Sequence, residues 1–174
     1  MSTPAFPIVN ALGALENPNA DAGSAAQLQQ TSAELAIDAR ALADARASGL
    51  TAVNITLGYT LGDLPPYEHT LRELDVWDSI IDANAEHLVK VLGVADIHRA
   101  HEQRRVGVVY GFQNAVAVGD DLDRIGVFDQ RGVRVVQLTY NQANHIGDGS
   151  MAERNRGLTD FGRSVIGALN ERRG

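Results

Sequence analysis

The sequence predicts an α/β protein built on a parallel β-sheet, and three observations support this prediction. Short segments rich in β-branched residues alternate with long amphipathic segments along the 174 residues. Four strand-and-helix repeats can be counted in this alternation. The composition, 44% apolar and 21% charged, is that of a globular domain able to bury a core. Strands that alternate with helices form parallel sheets covered by those helices.

The N-terminal third contains two predicted strands around one long helix. The first strand covers residues 6–12, and a Pro/Asn/Asp/Gly turn follows it. The helix covers residues 24–49, because leucines recur every seven residues among Ala, Glu and Arg. Ser24 is its predicted N-cap, and Gly49 its predicted end. The second strand, residues 50–57, is rich in apolar residues and should be buried.

The middle of the chain begins with a loop, since Pro65 and Pro66 should prevent a helix there. A second long helix is predicted over residues 70–92, where leucines and an isoleucine lie near one face. A short polar helix over 94–105 leads to the third strand, residues 106–112.

The C-terminal part repeats the pattern twice. A short helix is predicted over 121–132, a fourth strand over 133–140 and a last helix over 157–174, with Thr159 as N-cap. Two architectures fit four such repeats: an open doubly wound sheet, or part of a (β/α)8 barrel. No strand is followed by the glycine pattern that binds a dinucleotide, which disfavours a nucleotide site.

Composition excludes several classes of function. The net charge is −7 without a basic stripe, so nucleic acid is not an expected partner. The chain has no cysteine, which leaves His, Asp and Glu as the strong metal ligands. Neither a signal peptide nor a membrane-spanning run is found in the sequence. We therefore expect a cytoplasmic protein with one domain over residues 1–174.

Polar residues at the ends of the predicted strands are the candidate site, because parallel strands place their C-terminal ends at the active face. Most are neutral and can orient a substrate but cannot act as a general base, which leaves His145 and Asp148. The alternative is that the amides cap turns. The set is Asn10, Asn54, Thr56, Gln113, Asn114, Thr139, Tyr140, Asn141, Asn144, His145 and Asp148.

A second candidate is the pair His98 and His101, which a helix would place on one face, as some metal sites require. Arg99, Arg104 and Arg105 surround the pair, and positive charge opposes cation binding. A solvated helix surface is therefore the favoured interpretation.

Three phrases carry a family resemblance: "GVRVVQLTYNQAN" (132–144), "GDG" (147–149) and "GLTDFGRSVI" (157–166). With the preceding strand they resemble the renal or membrane dipeptidase family, the peptidase M19 metallohydrolases, from about residue 106 to the C-terminus. The segment "ASGLTAVNITLG" (47–58) is similar to a weaker family motif. The resemblance implies a (β/α)8 barrel with a two-zinc centre, in which a metal-bound hydroxide hydrolyses a dipeptide.

The resemblance also implies specific site positions, and the sequence departs from the family at several of them. The first-strand His-x-Asp zinc ligands fall on Leu12 and Ala14, and the glutamate that bridges the two zinc ions falls on Gln113. A substrate-binding histidine falls on Tyr140. The family's other zinc histidines lie beyond Gly174. We therefore expect no classical two-zinc site in this chain, although zinc is the family's metal.

These positions predict a pocket for a small peptide or an amino-acid-like substrate. Gln113, Tyr140 and Asn141 should line it, with Asn10 behind them. Because four repeats use 174 residues, eight would need about 350. We expect the N-terminal portion of a barrel, cut before the fifth strand, which either forms a homo-oligomer or needs a missing C-terminal half. Two alternatives to a dipeptidase-like hydrolase remain: a non-catalytic relative that binds a small ligand, and a truncated fragment without function.

Overall fold

Five parallel strands form one sheet in the part of the chain that the structure describes. This computed structural model describes residues 5–15, 37–58 and 64–172. The strands are β1 (Val9–Gly13), β2 (Ala52–Leu57), β3 (Leu88–Lys90), β4 (Val106–Phe112) and β5 (Val133–Val136). Their order is β1-β2-β4-β3, and β5 also pairs with β4. The predicted α/β class with a parallel sheet is confirmed.

Helices alternate with these strands. They are α1 (Ala39–Ala47), α2 (Pro66–Ala83), α3 (Val94–Gln103), α4 (Asp123–Gln130) and α5 (Asp160–Glu171), and a 3₁₀ turn covers Ala115–Val118. Among the described residues, no helix combines the length and the apolar character needed to span a membrane.

The chain divides into two units. The first contains Met1–Thr56 and Glu73–Val109, and the second contains Leu57–Arg72 and Tyr110–Gly174. Helix α2 and strand β4 each run from one unit into the other, so each unit receives part of both elements.

The core of the first unit is built from β2 and the later turns of α2. Leu74, Trp77 and Ile81 are all buried, and their spacing of three and four residues places them on one face of the helix. In β2, Val53 and Ile55 are also buried. The prediction of a buried strand at 50–57 is therefore confirmed, and the strand itself is Ala52–Leu57.

Strand β3 is an element that the sequence analysis assigns to the second long helix, and this assignment is wrong. Helix α2 ends at Ala83, and Asn84 then closes a tight turn. The Asn84 side chain donates to the Ile80 carbonyl (2.8 Å), while its own carbonyl accepts from the amides of His87 and Leu88, both at 2.8 Å. The chain leaves this turn extended, and Leu88–Lys90 pairs with Val106–Val108.

The start of α2 also differs from the prediction. The helix begins at Pro66, whereas Pro65 and Pro66 were expected to lie in a non-helical loop. A proline is tolerated in the first turn, because the amide hydrogen it lacks would have no helical partner there. Pro65 completes this start, since its carbonyl accepts from the His69 amide at 3.0 Å.

Helix α1 is shorter than the predicted helix over residues 24–49. It begins after Asp38, whose carboxylate accepts from the Ala41 amide (2.8 Å) and so caps the first turn. Gly49 follows its last turn with a φ of 79°, which agrees with the predicted end. Ser24, the predicted N-cap, lies outside the described residues.

In the second unit, β5 ends at Val136, although the sequence predicts a strand to residue 140. The last backbone bond to β4 runs from the Gln137 amide to the Phe112 carbonyl (2.8 Å). Beyond it, side-chain amides replace strand partners: Gln137 donates to the Thr139 carbonyl (2.8 Å), and Asn144 to the Leu138 carbonyl (2.9 Å).

Helix α5 is fixed at its N-terminus to the loop that follows β5. Thr159 caps the helix as predicted, because its hydroxyl accepts from the Gly162 amide at 2.9 Å. A β-carbon at Gly162 would lie 2.0 Å from the Ile146 carbonyl oxygen, so only glycine permits this approach.

We predict that Gly162→Ala destabilises the protein by about 3 kcal/mol, because two backbone segments would have to separate. Gly167→Ala in the same helix is the matched control, since a β-carbon there meets no atom within 4 Å. It should be neutral or stabilising by about 0.5–1 kcal/mol. Urea unfolding of both variants checks the prediction, and equal effects would contradict it.

Candidate functional site

The predicted site residues are divided between the two units. Asn10 belongs to the first unit, and Gln113, Tyr140 and Asn141 belong to the second. The last three residues therefore belong to one unit.

Asn10 shapes the end of β1. Its side-chain oxygen accepts from the Leu12 amide (3.1 Å), which is the local turn that asparagine commonly forms. The pairing of β1 with β2 is irregular between Asn10 and Gly13. From β2, the Asn54 side chain donates to the Ala11 carbonyl (2.8 Å) and so holds the same segment. Asn10 is exposed, and its amide oxygen serves its own backbone.

The two positions where the resemblance places first-strand zinc ligands are aliphatic and exposed. Leu12 is 56% exposed, and Ala14 follows the end of β1. Neither side chain has an atom that can bind a metal.

Gln113 follows the last residue of β4. Its backbone amide donates to the Leu57 carbonyl at 3.4 Å, which continues the strand pairing by one residue. The Phe112 ring packs edge-on against Phe128 of α4, with 4.8 Å between centroids. Within the described residues, the half-buried Gln113 side chain makes no hydrogen bond and so can bind a ligand.

Asn114 has a different role, although it is the next residue and also carries a side-chain amide. It is buried, and its side-chain oxygen caps the 3₁₀ turn by accepting from the Val116 amide (3.2 Å). The same oxygen accepts from the Asn144 side chain at 2.8 Å. Asn144 also accepts from the amides of Ile146 (2.8 Å) and Gly147 (3.2 Å). These two amides are structural.

Tyr140 and Asn141 lie on the loop after β5, and the "GDG" segment packs directly on their backbone. The Tyr140 carbonyl accepts from the Ser150 amide (2.8 Å), and the Asn141 side chain accepts from the Ser150 hydroxyl (3.2 Å). A β-carbon at Gly149 would lie 2.5 Å from the Asn141 carbonyl oxygen. This glycine is therefore needed for the close approach that holds the two residues in place.

The two titratable candidates of this loop, His145 and Asp148, lie in different environments. His145 is exposed, and its carbonyl accepts from the Thr159 hydroxyl at 2.7 Å. Asp148 has a side chain only 5% exposed, and it binds the Arg156 guanidinium through two contacts of 3.0 and 3.2 Å. Hydrogen bonds from the Arg156 side chain and backbone amide lower the pKa of Asp148, so it is an anion at neutral pH.

The side chains at the implied metal positions do not fit a two-zinc centre. Leu12 and Ala14 offer no ligand atom, and Gln113 offers a neutral amide where a bridging carboxylate would offset the repulsion of two cations. Among the described residues, no three His, Cys, Asp or Glu side chains are grouped as a metal site requires. His98 is exposed, and His101 pairs with the Thr51 hydroxyl at 3.2 Å, which agrees with the non-metal interpretation of that pair.

The family model described as membrane dipeptidase, peptidase family M19, matches residues 9–173. The chain belongs to this family. The expected resemblance is thereby confirmed, and it extends over almost the whole chain rather than from residue 106 alone.

Solved structures also resemble this chain. An amidohydrolase from Pseudomonas aeruginosa is 37% identical, with a TM-score of 0.69 over 75% of this chain and 38% of its own. Dipeptidase AC, a metallopeptidase of family M19, is 16% identical, with a TM-score of 0.70 over 97% of this chain and 54% of its own.

A third relative is a metallopeptidase from Rhodobacter sphaeroides liganded with a phosphinate mimic of the dipeptide L-Ala-D-Ala. It is 15% identical, with a TM-score of 0.68 over 95% of this chain and 56% of its own. At such identities these last two structures show the fold alone, which in this family is a TIM barrel. The chain spans less than two thirds of the length of these solved relatives. No curated protein sequence matches it.

The sequence alone does not distinguish Asn114 and Asn144, whose side-chain amides have structural roles, from Gln113, whose side-chain amide makes no hydrogen bond among the described residues. A side-chain amide that follows a strand is common to Gln113, Asn114 and Asn144. Only the hydrogen-bond partners of these amides distinguish them. The glycines of the M19 phrases could have indicated this loop packing, because glycine is often required where two backbone segments approach closely. Gly149 and Gly162 both lie at such an approach.

We predict that Asp148→Asn loses stability at neutral pH and that the loss shrinks in acid. The folded pKa of Asp148 is depressed, so its contribution is complete above the unfolded value of about 3.9 and disappears as the pH falls through the lower folded value. Melting temperatures of both proteins from about pH 7 to pH 2.5 check this. A difference that stays constant over that range would contradict the prediction.

Proposed function

We propose that this chain is the N-terminal portion of a dipeptidase-type hydrolase, whose substrate is a dipeptide or a similar small amide. The observation that carries the proposal is the family match over residues 9–173. The dipeptide mimic held by the Rhodobacter sphaeroides relative supports the substrate class. A parallel sheet with polar side chains at its strand ends is also the scaffold that such a site needs.

In this proposal Gln113, Tyr140 and Asn141 bind the substrate. The Gln113 amide is uncommitted within the described residues and can donate to a carbonyl or accept from an amide. Tyr140 offers a phenol, and Asn141 shares its side-chain oxygen only with Ser150. These groups match the alternating donors and acceptors of a peptide bond. A binding role for Asn10, which is exposed in the first unit, remains a prediction from the sequence.

We further propose that this chain alone is impaired as a catalyst. Zinc is the metal expected for the family, but Leu12, Ala14 and Gln113 do not supply the ligands that its two-metal centre requires. Additional polypeptide, either a C-terminal half or a second copy of the chain, would then have to supply the metal ligands that activity requires. A cytoplasmic location remains a prediction.

A second candidate function is non-catalytic binding of an amino-acid-like ligand. The observation that favours it is the neutral character of the three binding residues in the second unit, none of which can serve as a general base at neutral pH. This candidate predicts that a dipeptide stabilises the protein without being hydrolysed.

We predict that the 174-residue chain binds zinc and cobalt below one equivalent and does not hydrolyse L-Ala-D-Ala, whereas a version extended to the length of the solved relatives does hydrolyse it. Metal content after dialysis and dipeptide turnover are the measurements. Stoichiometric metal with turnover in the short chain would overturn the proposed impairment. Failure of the extended version to hydrolyse any small dipeptide would contradict the hydrolase assignment.

The variant Gln113→Glu tests the bridging position directly. A carboxylate there should raise the zinc affinity of the extended version at least about tenfold, because it supplies the anionic ligand that an amide lacks. Gln113→Leu is the matched control, since it removes the amide without adding charge. If both variants bind zinc like the parent, position 113 is not a metal position.

A further inference from the structure

Asn144 joins the two segments that carry the proposed binding residues of the second unit. Its side-chain nitrogen donates to the Asn114 side-chain oxygen (2.8 Å) and to the Leu138 carbonyl (2.9 Å). Asn114 is the neighbour of Gln113, and Leu138 lies two residues before Tyr140. One amide group therefore connects the end of β4 to the loop after β5.

The oxygen of the same side chain holds the rest of that loop. It accepts from the amides of Ile146 (2.8 Å) and Gly147 (3.2 Å), and the Asn144 backbone amide donates to the Gly147 carbonyl (3.0 Å). Both hydrogens and both acceptor directions of the amide are thus used. If the side-chain oxygen and nitrogen of Asn144 were exchanged, its oxygen would face the Asn114 and Leu138 oxygens. Its NH₂ group would then face the Ile146 and Gly147 amides, so these four partners fix the orientation of the side chain.

We propose that Asn144 is the positioning residue of the substrate pocket: it sets the placement of Gln113 relative to Tyr140 and Asn141 without touching the substrate. Strand pairing cannot do this beyond Gln137, because the backbone bonds of β5 to β4 end there. Beyond that point, the hydrogen bond between the Asn144 and Asn114 side chains links the loop after β5 to the residues that follow β4. The proposal rests on the proposed function in one respect, that these three residues bind the substrate.

Asn144→Asp separates this role from simple support of the loop. An aspartate keeps an oxygen to accept from Ile146 and Gly147, but it loses both donors and places an oxygen against Asn114 and Leu138. At neutral pH the two segments should move apart. In acid the protonated carboxyl regains one donor, so the wild-type arrangement should partly return.

Two readouts test the proposal on the full chain. The first is the set of NMR signals of the Gln113 side-chain amide and the Tyr140 and Asn141 backbone amides. The second is calorimetric binding of L-Ala-D-Ala between about pH 4 and pH 7. For Asn144→Asp we expect all three signals to shift at pH 7, binding to weaken about tenfold, and both effects to diminish toward pH 4. The wild type should show no such pH-dependent recovery.

Two further variants complete the design. Asn114→Ala removes the acceptor while leaving the other three bonds of Asn144, and it should shift the same signals even if Asn144→Asp fails to fold. Asn155→Ala is the matched control, because its side chain caps only the Gly157 amide (3.0 Å) in the same loop. It should leave signals and binding unchanged.

The proposal is overturned if Asn144→Asp and Asn114→Ala leave the three signals in place, or if Asn155→Ala produces the same shifts. A loss of binding in Asn144→Asp that is independent of pH would also overturn it, because a missing donor should be replaced on protonation. If the wild type binds no dipeptide, the proposed substrate binding by Gln113, Tyr140 and Asn141 fails in this chain, and the NMR signals alone decide the role of Asn144.

Discussion

Strand β4 is the element on which the rest of the structure depends, because three other strands pair with it. All seven of its residues are buried, and it pairs with β2, β3 and β5. Strand β3 pairs with the first residues of β4, and β5 pairs with Tyr110–Phe112 of β4. A strand with partners at both edges cannot shift its register without breaking several rows of backbone hydrogen bonds. The residues that follow it, Gln113 and Asn114, therefore start from a fixed position.

The loop after β5 has no such support from strand pairing, and small residues and side-chain amides replace it. Gly149 and Gly162 allow backbone segments to approach more closely than any side chain would permit. Asn144 then supplies hydrogen bonds that a strand would have supplied. The M19 phrases "GDG" and "GLTDFGRSVI" thus mainly determine the conformation of the loop that carries Tyr140 and Asn141.

The sequence predicts the long apolar elements of this fold and misses the elements that depend on tertiary partners. Residues 50–57 and 106–112 are rich in apolar residues, and strands are found there as predicted, at Ala52–Leu57 and Val106–Phe112. Strand β3 has only three residues and continues an amphipathic helical pattern, so only its pairing with β4 reveals it. Asp38 and Pro66 set helix starts through local chemistry, but whether a helix begins or continues at such residues depends on the neighbouring chain.

The same limit applies to the candidate site. Pattern and family place Gln113, Tyr140 and Asn141 near one another, and the second unit contains all three. What a single sequence cannot supply is which amide is free and which is saturated, since that is decided by partners 30 residues away, as in the Asn114–Asn144 contact. Fold and chemistry are therefore separable here. The loop is built by close glycine contacts and by the hydrogen bonds of Asn144, so the family architecture does not depend on Leu12, Ala14 and Gln113, the positions where the resemblance implies zinc ligands.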